Sequence, residues 1–281
     1  MEHSSIITSA QVPMPRLIYG TAWKKDKTSD LVVKAVQYGF RAIDTAGQPK
    51  HYNEEGVGDA LGKLQKLGIS RESLFIQTKF TPIAGQDPLR VPYDPQVSLA
   101  TQVVQSFANS QKTLGTPYVD SLVLHSPLAS HDKLMMVWNA MEKIHEAKGA
   151  RQLGISNCYE LPVLRRLYQD ATVKPAVLQN RFYRETKYDQ ELRLFCADKN
   201  IVYQSFWTLS ANPDILASRP IRELARELQK TEAQILFRSL TQMGIVPLTG
   251  TCSDQHMQED LAIFNFELSE EHLKGIKVLF N

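Results

Sequence analysis

The sequence predicts an α/β protein, a single (β/α)8 TIM barrel over residues 1–281, and two features of the chain support this fold. Short apolar runs rich in β-branched residues alternate with longer amphipathic stretches along nearly the whole sequence, which is typical of βα units. About eight such runs are present, the number of strands that closes a βα barrel. No linker interrupts the pattern, so we expect one domain.

The predicted elements follow one another in regular order. The strands lie near residues 17–20, 41–43, 74–78, 121–124, 152–155, 176–179, 201–205 and 245–247. Helix-like stretches between them cover residues 30–38, 54–66, 97–114, 133–147, 161–168 and 190–198. Residues 220–240 hold two helical patterns, and residues 270–279 form a last helix. The longest irregular stretch, residues 82–94, follows the third strand and is either a mobile flap or a plain surface insertion.

The composition argues against nucleic acid and membranes as partners. The 32 basic and 30 acidic residues are scattered and leave a formal net charge of +2, without the basic stripe of nucleic-acid-binding proteins. No apolar run is long enough to span a bilayer, and the N-terminus lacks a basic region followed by a long apolar core. We therefore expect a cytoplasmic protein. Since no long apolar patch or heptad pattern calls for a partner, a monomer or weak oligomer is expected.

The three cysteines point to a reducing compartment. Cys158, Cys196 and Cys252 are far apart and include no C-x-x-C pair, which argues against both a disulfide framework and a zinc site. Cys158 is interpreted as a passive small residue rather than a redox switch. No metal site is predicted.

Four polar residues carry the functional argument: Asp44, Tyr52, Lys79 and His125. Asp44, Lys79 and His125 each close a run that reads as a buried strand, so their side chains should emerge at the same end of successive strands. A lysine paired with an aspartate would favour the phenolate form of a nearby tyrosine and lower its pKa from about 10 toward the working pH. The tyrosine would then be a usable proton donor, and the histidine could donate a hydrogen bond to a carbonyl oxygen.

This residue set implies hydride chemistry. It contains no obvious nucleophile, and one Asp with one His is too few ligands for a metal site. A proton donor directed at a carbonyl needs an electron source, and protein side chains have no hydride to give. The economical inference is a cofactor that delivers hydride.

The motifs around these residues resemble those of the aldo-keto reductases, in a short form without a long C-terminal loop. The matching segments, within residues 17–279, are Gly20-Thr21-Ala22-Trp23-Lys24, Asp44-Thr45-Ala46, residues 53–61, Gln77-Thr78-Lys79, Leu124-His125-Ser126-Pro127, Gly154-Ile155-Ser156-Asn157 and Phe266-Glu267-Leu268-Ser269. Each short match is weak, whereas the ordered series is specific. The resemblance implies a barrel that reduces carbonyl compounds with a nicotinamide cofactor, usually NADPH, with NADH possible.

The resemblance also assigns roles to residues. Tyr52 would be the general acid, tuned by Lys79 and Asp44, and His125 would orient the small-molecule carbonyl substrate. The residues implied to bind the cofactor are Gly20, Thr21, Asp44, Ser156, Asn157, Gln179, Phe206, Thr249, Thr251 and His256. The expected walls of the substrate pocket are Trp23, Phe80, Trp207 and the insertion at residues 82–94.

Three departures from the family pattern affect these expectations. The segment between Asp44 and Asn53 is about two residues longer than usual, which leaves His51 as an alternative to Tyr52; the phenol fits the Lys79 and Asp44 pairing better. The loop at residues 248–258 lacks the basic residues that commonly clamp the 2′-phosphate of NADPH, so hydroxyl groups of that loop and His256 would have to replace them. The chain ends soon after the last helix, which predicts an open pocket for bulky or varied carbonyl substrates.

Other interpretations remain open at this stage. Asp44 could cap a turn, Lys79 could be solvated, and His125 could be an ordinary residue of the barrel rim. The chain could be a regulatory subunit that binds the cofactor with little turnover. A metal-dependent barrel hydrolase is a further alternative, although it would need a cluster of His and carboxylate residues at the strand ends.

Overall fold

Two short strands precede a closed parallel barrel. A computed structural model describes residues 5–280; the ends of the predicted domain, and part of the N-terminal segment discussed above, lie outside the described residues. Strands β1 (Ser5–Ile7) and β2 (Pro13–Pro15) pair antiparallel. The barrel strands are β3 (Ile18–Gly20), β4 (Ala42–Asp44), β5 (Phe75–Phe80), β6 (Ser121–Leu124), β7 (Leu153–Ser156), β8 (Val177–Arg181), β9 (Val202–Phe206) and β10 (Val246–Thr249). Each of the eight pairs in parallel with its sequence neighbours, and β10 closes on β3.

Helices follow the strands and cover the outside of the barrel, which confirms the predicted (β/α)8 fold. They are α1 (Thr28–Tyr38), α2 (Glu54–Lys66), α3 (Leu99–Leu114), α4 (His131–Glu146), α5 (Leu161–Asp170), α6 (Gln190–Asp198), α7 (Pro213–Leu216), α8 (Arg219–Leu228), α9 (Glu232–Gln242), α10 (Asp254–Leu261) and α11 (Glu270–Lys277). Trp138 of α4 is fully buried. None of the helices described here is both long and apolar enough to cross a bilayer.

The β1–β2 hairpin packs against the end of the barrel at which the strands begin. Val12 and Met14 are buried in one cluster with the first residues of several barrel strands, including Ile18 and Ala42. A buried hydrogen bond of 2.7 Å from Thr8 Oγ1 to Gln152 Oε1 also joins the hairpin region to the barrel. The hairpin closes this end, so the opposite end, where the strands finish, is open for ligands.

Helices α2 and α3 approach each other closely at Gly58. A Cβ atom added at Gly58 of α2 would lie 2.9 Å from the carbonyl carbon of Thr113 and 3.1 Å from the Cα of Leu114. Both atoms belong to the α3 backbone and cannot rotate away. A glycine is therefore required at this crossing, and the crossing fixes how far α3 lies from the start of α2.

Candidate active site

A large cleft opens at the end of the barrel where the strands finish. Its volume is about 1180 Å³, above the range of about 300–1,000 Å³ that suits a drug-sized ligand. The lining residues come from the ends of β3, β4 and β7–β10 and from the loops and helices that follow the strands. The cleft therefore has room for a dinucleotide together with a small substrate, and it lies where barrel enzymes hold their active sites.

Asp44 and Lys79 form a buried ion pair below the cleft. Lys79 Nζ donates hydrogen bonds of 2.7 and 2.6 Å to the two carboxylate oxygens of Asp44 and one of 2.8 Å to the carbonyl oxygen of Thr45. These three contacts use all the donors of the ammonium group. Burial lowers the pKa of Lys79, and the attraction of Asp44 opposes this effect. Asp44 lines the cleft, whereas Lys79 lies beneath it.

Three glutamines form a polar layer inside the barrel that also holds Asp44. Gln77 and Gln179 donate hydrogen bonds of 2.8 and 3.1 Å to Asp44 Oδ1, and both donate to Gln204 Oε1 at 2.8 and 2.9 Å. Because the Nε2 group of Gln179 is committed to this layer, its Oε1 atom is the one that can accept a hydrogen bond from a ligand. The sequence reasoning missed Gln77 and Gln204.

Tyr52 lies over the ion pair and beside His125. Its ring centroid is 5.0 Å from Lys79 Nζ, and its ring meets that of His125 edge-on with centroids 6.0 Å apart. No hydrogen bond to its hydroxyl group is made within residues 5–280, so the hydroxyl is available to a substrate. Burial, and then the Asp44 carboxylate, raise the pKa of Tyr52 above its ordinary value.

This direction corrects the expectation that Lys79 lowers the pKa of Tyr52. All three ammonium donors of Lys79 are spent on Asp44 and Thr45, and the Asp44 charge offsets that of Lys79. Desolvation, followed by the charge of Asp44, then favours the neutral phenol. Tyr52 consequently keeps its proton at neutral pH.

His51 also lines the cleft, but it faces a different neighbour. Its ring stacks on Trp23 with centroids 4.1 Å apart, and Trp23 is 58% exposed. Burial and the charge of Lys50 lower the pKa of His51. Tyr52, rather than His51, is therefore the residue next to Lys79 and His125.

His125 is a neutral imidazole held by Thr81. Burial, followed by the charge of Lys79, lowers the pKa of His125 to about 3. Its Nδ1 atom lies 2.6 Å from Thr81 Oγ1. With the hydroxyl group as the donor, the proton of the ring resides on Nε2, which is then free to donate to a ligand. Thr81 did not figure among the predicted site residues.

A second carboxylate lies close to Lys79. Glu54, the first residue of α2, is buried and accepts hydrogen bonds from the hydroxyl groups of Thr78, Ser110 at 2.9 Å and Thr113 at 3.2 Å. Burial raises the pKa of Glu54, and these hydrogen bonds and the charge of Lys79 oppose the shift. The contacts tie the start of α2, just after Tyr52, to β5 and α3.

Most of the residues expected to bind a cofactor line the cleft. They are Gly20, Asp44, Ser156, Asn157, Gln179, Phe206, Thr249, Thr251 and His256. Ser156 Oγ donates to the carbonyl oxygen of Gln179 at 2.6 Å, and Asn157 Nδ2 donates to that of His125 at 2.8 Å. Thr21 is the exception, because it is fully buried and its hydroxyl group donates to the carbonyl oxygen of Asp44. Thr21 supports the Asp44 backbone and does not line the cleft.

The far end of the cleft contains a buried carboxylate that the sequence reasoning missed. Thr249 Oγ1 donates a hydrogen bond of 2.7 Å to Asp260 Oδ2, so the hydroxyl proton expected to meet a phosphate is already engaged. Burial raises the pKa of Asp260 to about 6. Thr251 Oγ1 accepts from the backbone N–H of Ser253 at 3.1 Å and keeps its own proton free. Lys24 lies nearby, with Nζ donating to the carbonyl oxygen of Gly250 at 2.7 Å.

Trp23 and Trp207 flank the cleft as expected, but the prediction for Phe80 is wrong. Phe80 is buried in the hydrophobic core, with its ring 5.6 Å from that of Tyr93. Strand β5 extends through Phe80, and since side chains alternate across a strand, Phe80 points away from the face that carries Lys79. The next residue, Thr81, lines the cleft instead.

The insertion at residues 82–94 is held to the barrel by polar contacts. Gln86 is buried and donates to the carbonyl oxygens of Gly47 and Thr81 at 2.9 and 3.1 Å, and the hydroxyl group of Tyr93 also donates to Thr81 at 2.8 Å. Within the insertion, Gly85 lines the cleft and Leu89 is 92% exposed. The insertion therefore adds little to the wall of the pocket.

The part of the chain described by the structure has neither a metal-ligand cluster nor a disulfide. No group of three or more His, Cys, Asp or Glu residues is arranged there to hold a metal ion. Cys158, Cys196 and Cys252 are free thiols, and only Cys252 is exposed. Burial raises the pKa of Cys158 to about 12, which agrees with a passive role.

Comparison with known protein families decides the assignment. The model of the aldo/keto reductase family matches residues 16–280, which is nearly the whole chain. The chain belongs to the aldo/keto reductase family. It is 30% identical to the glyoxal reductase of Bacillus subtilis over 254 residues, covering 90% of this chain and 84% of that protein. It is 28% identical to the NADPH-dependent alpha-keto amide reductase of Saccharomyces cerevisiae, covering 92% and 84% of the two chains.

Solved structures agree with this assignment. A crystal structure of an aldo/keto reductase from Brucella melitensis superposes with a TM-score of 0.83 and 27% identity, covering 98% of both chains. The predicted family, the barrel and the prediction of NAD(P)H-dependent carbonyl reduction are thereby confirmed. This aldo/keto reductase is an oxidoreductase.

Proposed function

We propose that this aldo/keto reductase reduces an aldehyde or ketone to an alcohol, with Tyr52 as the proton donor and NADPH as the hydride source. The observation that carries the proposal is the position of the Tyr52 phenol between the Lys79 ammonium group and the His125 ring, with no competing partner for its hydroxyl among the described residues. The carbonyl oxygen of a bound substrate would lie between Tyr52 and His125.

The residues around the cleft suit a nicotinamide cofactor. Phe206 offers an aromatic ring at the end of β9, and Gln179 offers an uncommitted Oε1 acceptor beside Ser156 and Asn157. These groups would bind the ring and its carboxamide. When bound, the cofactor supplies the hydride that reduces the carbonyl carbon.

The side chains then handle the proton. Neutral His125 donates a hydrogen bond from Nε2 to the carbonyl oxygen and polarises it. Tyr52 transfers its phenolic proton to this oxygen as negative charge develops there, and the product is a neutral alcohol. The resulting phenolate, whose ring centroid lies 5.0 Å from Lys79 Nζ, recovers a proton from solvent. Asp44 and the glutamine layer hold Lys79 in place.

NADPH preference is the finer part of this proposal. It is supported by the NADPH-dependent yeast relative and by Lys24, which lies against the loop after β10. Thr249 donates to Asp260, and this leaves Thr251 and His256 to meet a 2′-phosphate. The expected result is a higher kcat/KM with NADPH than with NADH. Equal or faster turnover with NADH would contradict the preference.

Cellular location and assembly are proposed on the same basis. Two of the three free thiols are buried, which is compatible with a reducing, cytoplasmic location. We propose a single-domain protein acting as a monomer or weak oligomer on small-molecule carbonyl substrates. Gel filtration of the purified protein would test the oligomeric state.

The central experiment follows cofactor oxidation with a panel of aromatic and aliphatic aldehydes. Wild type is compared with Tyr52→Phe, which removes the proton donor, and with the neighbouring variant His51→Ala. Turnover should collapse in Tyr52→Phe and survive in His51→Ala, with cofactor affinity retained in both. Loss of turnover only in His51→Ala would identify His51, rather than Tyr52, as the proton donor. Tight cofactor binding by wild type without turnover of any aldehyde would instead indicate a regulatory subunit.

A further inference from the structure

Arg181 is a charged cleft residue that the proposed reaction does not use. It ends strand β8, two residues after Gln179, and the two side chains therefore point to the same face of the strand. Both line the cleft. At a rise of about 3.3 Å per residue, Arg181 stands roughly 6.6 Å beyond Gln179 toward solvent. Its backbone pairs with Phe206 on the adjacent strand.

The guanidinium group of Arg181 is held by aromatic rings and has no acidic partner. Its central carbon lies 4.1 Å from the centroid of the Trp207 ring and 5.2 Å from that of Tyr183. Its Nε atom is buried without a hydrogen-bond partner, and within residues 5–280 no carboxylate forms an ion pair with it. A guanidinium group without an acidic partner is available to pair with an anionic group of a ligand in the cleft.

The charge of Arg181 is not balanced by the other groups at the reactive end of the cleft. Of the lining residues between Gly20 and Trp207, the other ionisable side chains besides Tyr52 are Asp44, His51 and His125. Asp44 is paired with Lys79, and the pKa values of the two histidines are lowered. The lining residues from Gly20 to Trp207, taken together, therefore carry a net positive charge at neutral pH.

A chain of hydrogen bonds connects Arg181 to the proposed catalytic histidine. The backbone N–H of Arg181 donates to the hydroxyl group of Tyr159 at 3.2 Å, and this hydroxyl donates to Asn157 Oδ1 at 3.2 Å. Asn157 Nδ2 in turn donates to the carbonyl oxygen of His125 at 2.8 Å. The position of Arg181 relative to the carbonyl site is consequently fixed by the protein.

We propose that Arg181 is a substrate-specificity residue that binds a carboxylate group carried by the aldehyde or ketone. Guanidinium pairs with carboxylate through two parallel N–H···O bonds, and stacking on Trp207 and Tyr183 presents the planar group for this contact. The inference rests on the proposed reductase activity and adds the class of substrate. A phosphate of the cofactor could offer the same chemistry, so the test separates the two sources.

The test compares two aromatic aldehydes that differ only in charge, 4-formylbenzoate and 4-formylbenzamide. The variants are Arg181→Met, which keeps an apolar stem against the rings, Arg181→Lys, which keeps the charge without the planar fork, and Arg184→Met as a control. Arg184 lies three residues after Arg181 and is exposed, and its replacement by Met removes the same charge from the protein. Cofactor dissociation constants are measured for each protein by fluorescence titration.

Arg181→Met should lower kcat/KM for the carboxylate substrate by about 10- to 100-fold and change that for the amide by less than about 2-fold. Arg181→Lys should fall between wild type and Arg181→Met, and Arg184→Met should match wild type. Cofactor affinity should be unchanged in all variants. Equal losses for both aldehydes, no loss for either, or a tenfold weaker binding of the cofactor in Arg181→Met would overturn the inference. Sustained turnover of the amide in that case would leave the proposed reductase activity intact, whereas failure of wild type to turn over any aldehyde of the panel would refute that activity itself.

Discussion

The crossing of α2 and α3 at Gly58 predicts that a single methyl group will disturb both stability and activity. In Gly58→Ala the new Cβ would lie 2.9 and 3.1 Å from backbone atoms of α3, so α3 must move away from α2. That movement lengthens the hydrogen bonds of 2.9 and 3.2 Å that Ser110 and Thr113 of α3 donate to Glu54. Glu54 lies close to Lys79, and Lys79 lies next to Tyr52. A displacement of Glu54 therefore affects the surroundings of the proposed proton donor, Tyr52.

The size of the effect follows from these contacts. Overpacking a rigid contact costs about 1–3 kcal/mol, and loss of one hydrogen bond to a charged group costs about a further 1.5–3 kcal/mol. We expect the free energy of unfolding to fall by about 3–6 kcal/mol in Gly58→Ala, a large share of the roughly 5–15 kcal/mol of a typical domain. Turnover of the folded fraction should fall as well, because Glu54 and Lys79 shift relative to Tyr52.

Gly62 supplies the matched control on the same helix. A Cβ at Gly62 meets no atom within 4 Å, so Gly62→Ala should raise the free energy of unfolding by about 0.5–1 kcal/mol through helix propensity alone. Urea unfolding followed by circular dichroism measures both variants, and cofactor oxidation measures their activity. A Gly58→Ala protein within 1 kcal/mol of wild type would refute the argument that the glycine is required by the helix crossing.

Three further predictions concern buried charges. Lys79→Met should lower the free energy of unfolding by about 3–5 kcal/mol, because it leaves Asp44 buried without its counter-charge; adding Asp44→Asn should restore part of this loss in urea unfolding. The pKa of Asp260, about 6, is above its ordinary 3.8, so the native state loses stability as pH rises from about 4 to 6. Asp260→Asn, which can still accept from Thr249, should therefore raise stability at pH 7 by up to about 3 kcal/mol and flatten this part of the pH profile. For His125 the pKa of about 3 lies below its ordinary 6.5, so the unfolded state binds the extra proton, and stability falls as pH decreases from 6.5 to 3. Since part of the ring is exposed to the cleft, we expect the free energy of unfolding to be about 2–4 kcal/mol lower at pH 4 than at pH 7 because of this group. Urea unfolding at the two pH values measures the difference, and His125→Gln should lack this contribution.

The barrel could be predicted because its strands are buried on both faces. Near-continuous apolar runs mark such strands, and the eight predicted positions differ from those of β3–β10 by no more than two residues at either end. The β1–β2 hairpin and α10 were missed for local reasons. Each hairpin strand has three residues and β2 contains two prolines, and α10 is short and mainly polar, so neither shows a clear period.

The errors at Phe80, Thr81 and Arg181 follow from uncertainty at strand ends. The third strand was predicted to end at Thr78, whereas β5 continues to Phe80. This extension places Phe80 in the core and brings Thr81 to the cleft. The sixth strand was predicted to end at Gln179, whereas β8 continues to Arg181, which then shares the face of Gln179. With the shorter predicted strand, Arg181 would lie in a loop. With two more residues of strand, it lines the cleft.

The electrostatics of the site could not be derived from residue types alone. A lysine near a tyrosine suggests a lowered pKa for the phenol, but the outcome depends on where the three ammonium protons point. They point at Asp44 and Thr45, and Gln77 adds a further donor to the same carboxylate. The ion pair is thus electrically balanced before a substrate arrives, and Tyr52 remains a phenol.

This balance also explains how one cleft can combine a neutral proton donor with attraction for an anion. Lys79 is spent on Asp44 beneath the cleft and contributes little net charge at its surface, while Arg181 at the rim has no such partner. A charged group at the rim can select a substrate without entering the reaction, because it binds a part of the substrate other than the reacting carbonyl. In this arrangement Tyr52 supplies the proton as a neutral phenol above a balanced ion pair, and the proposed role of Arg181 is to select carbonyl compounds that carry a carboxylate.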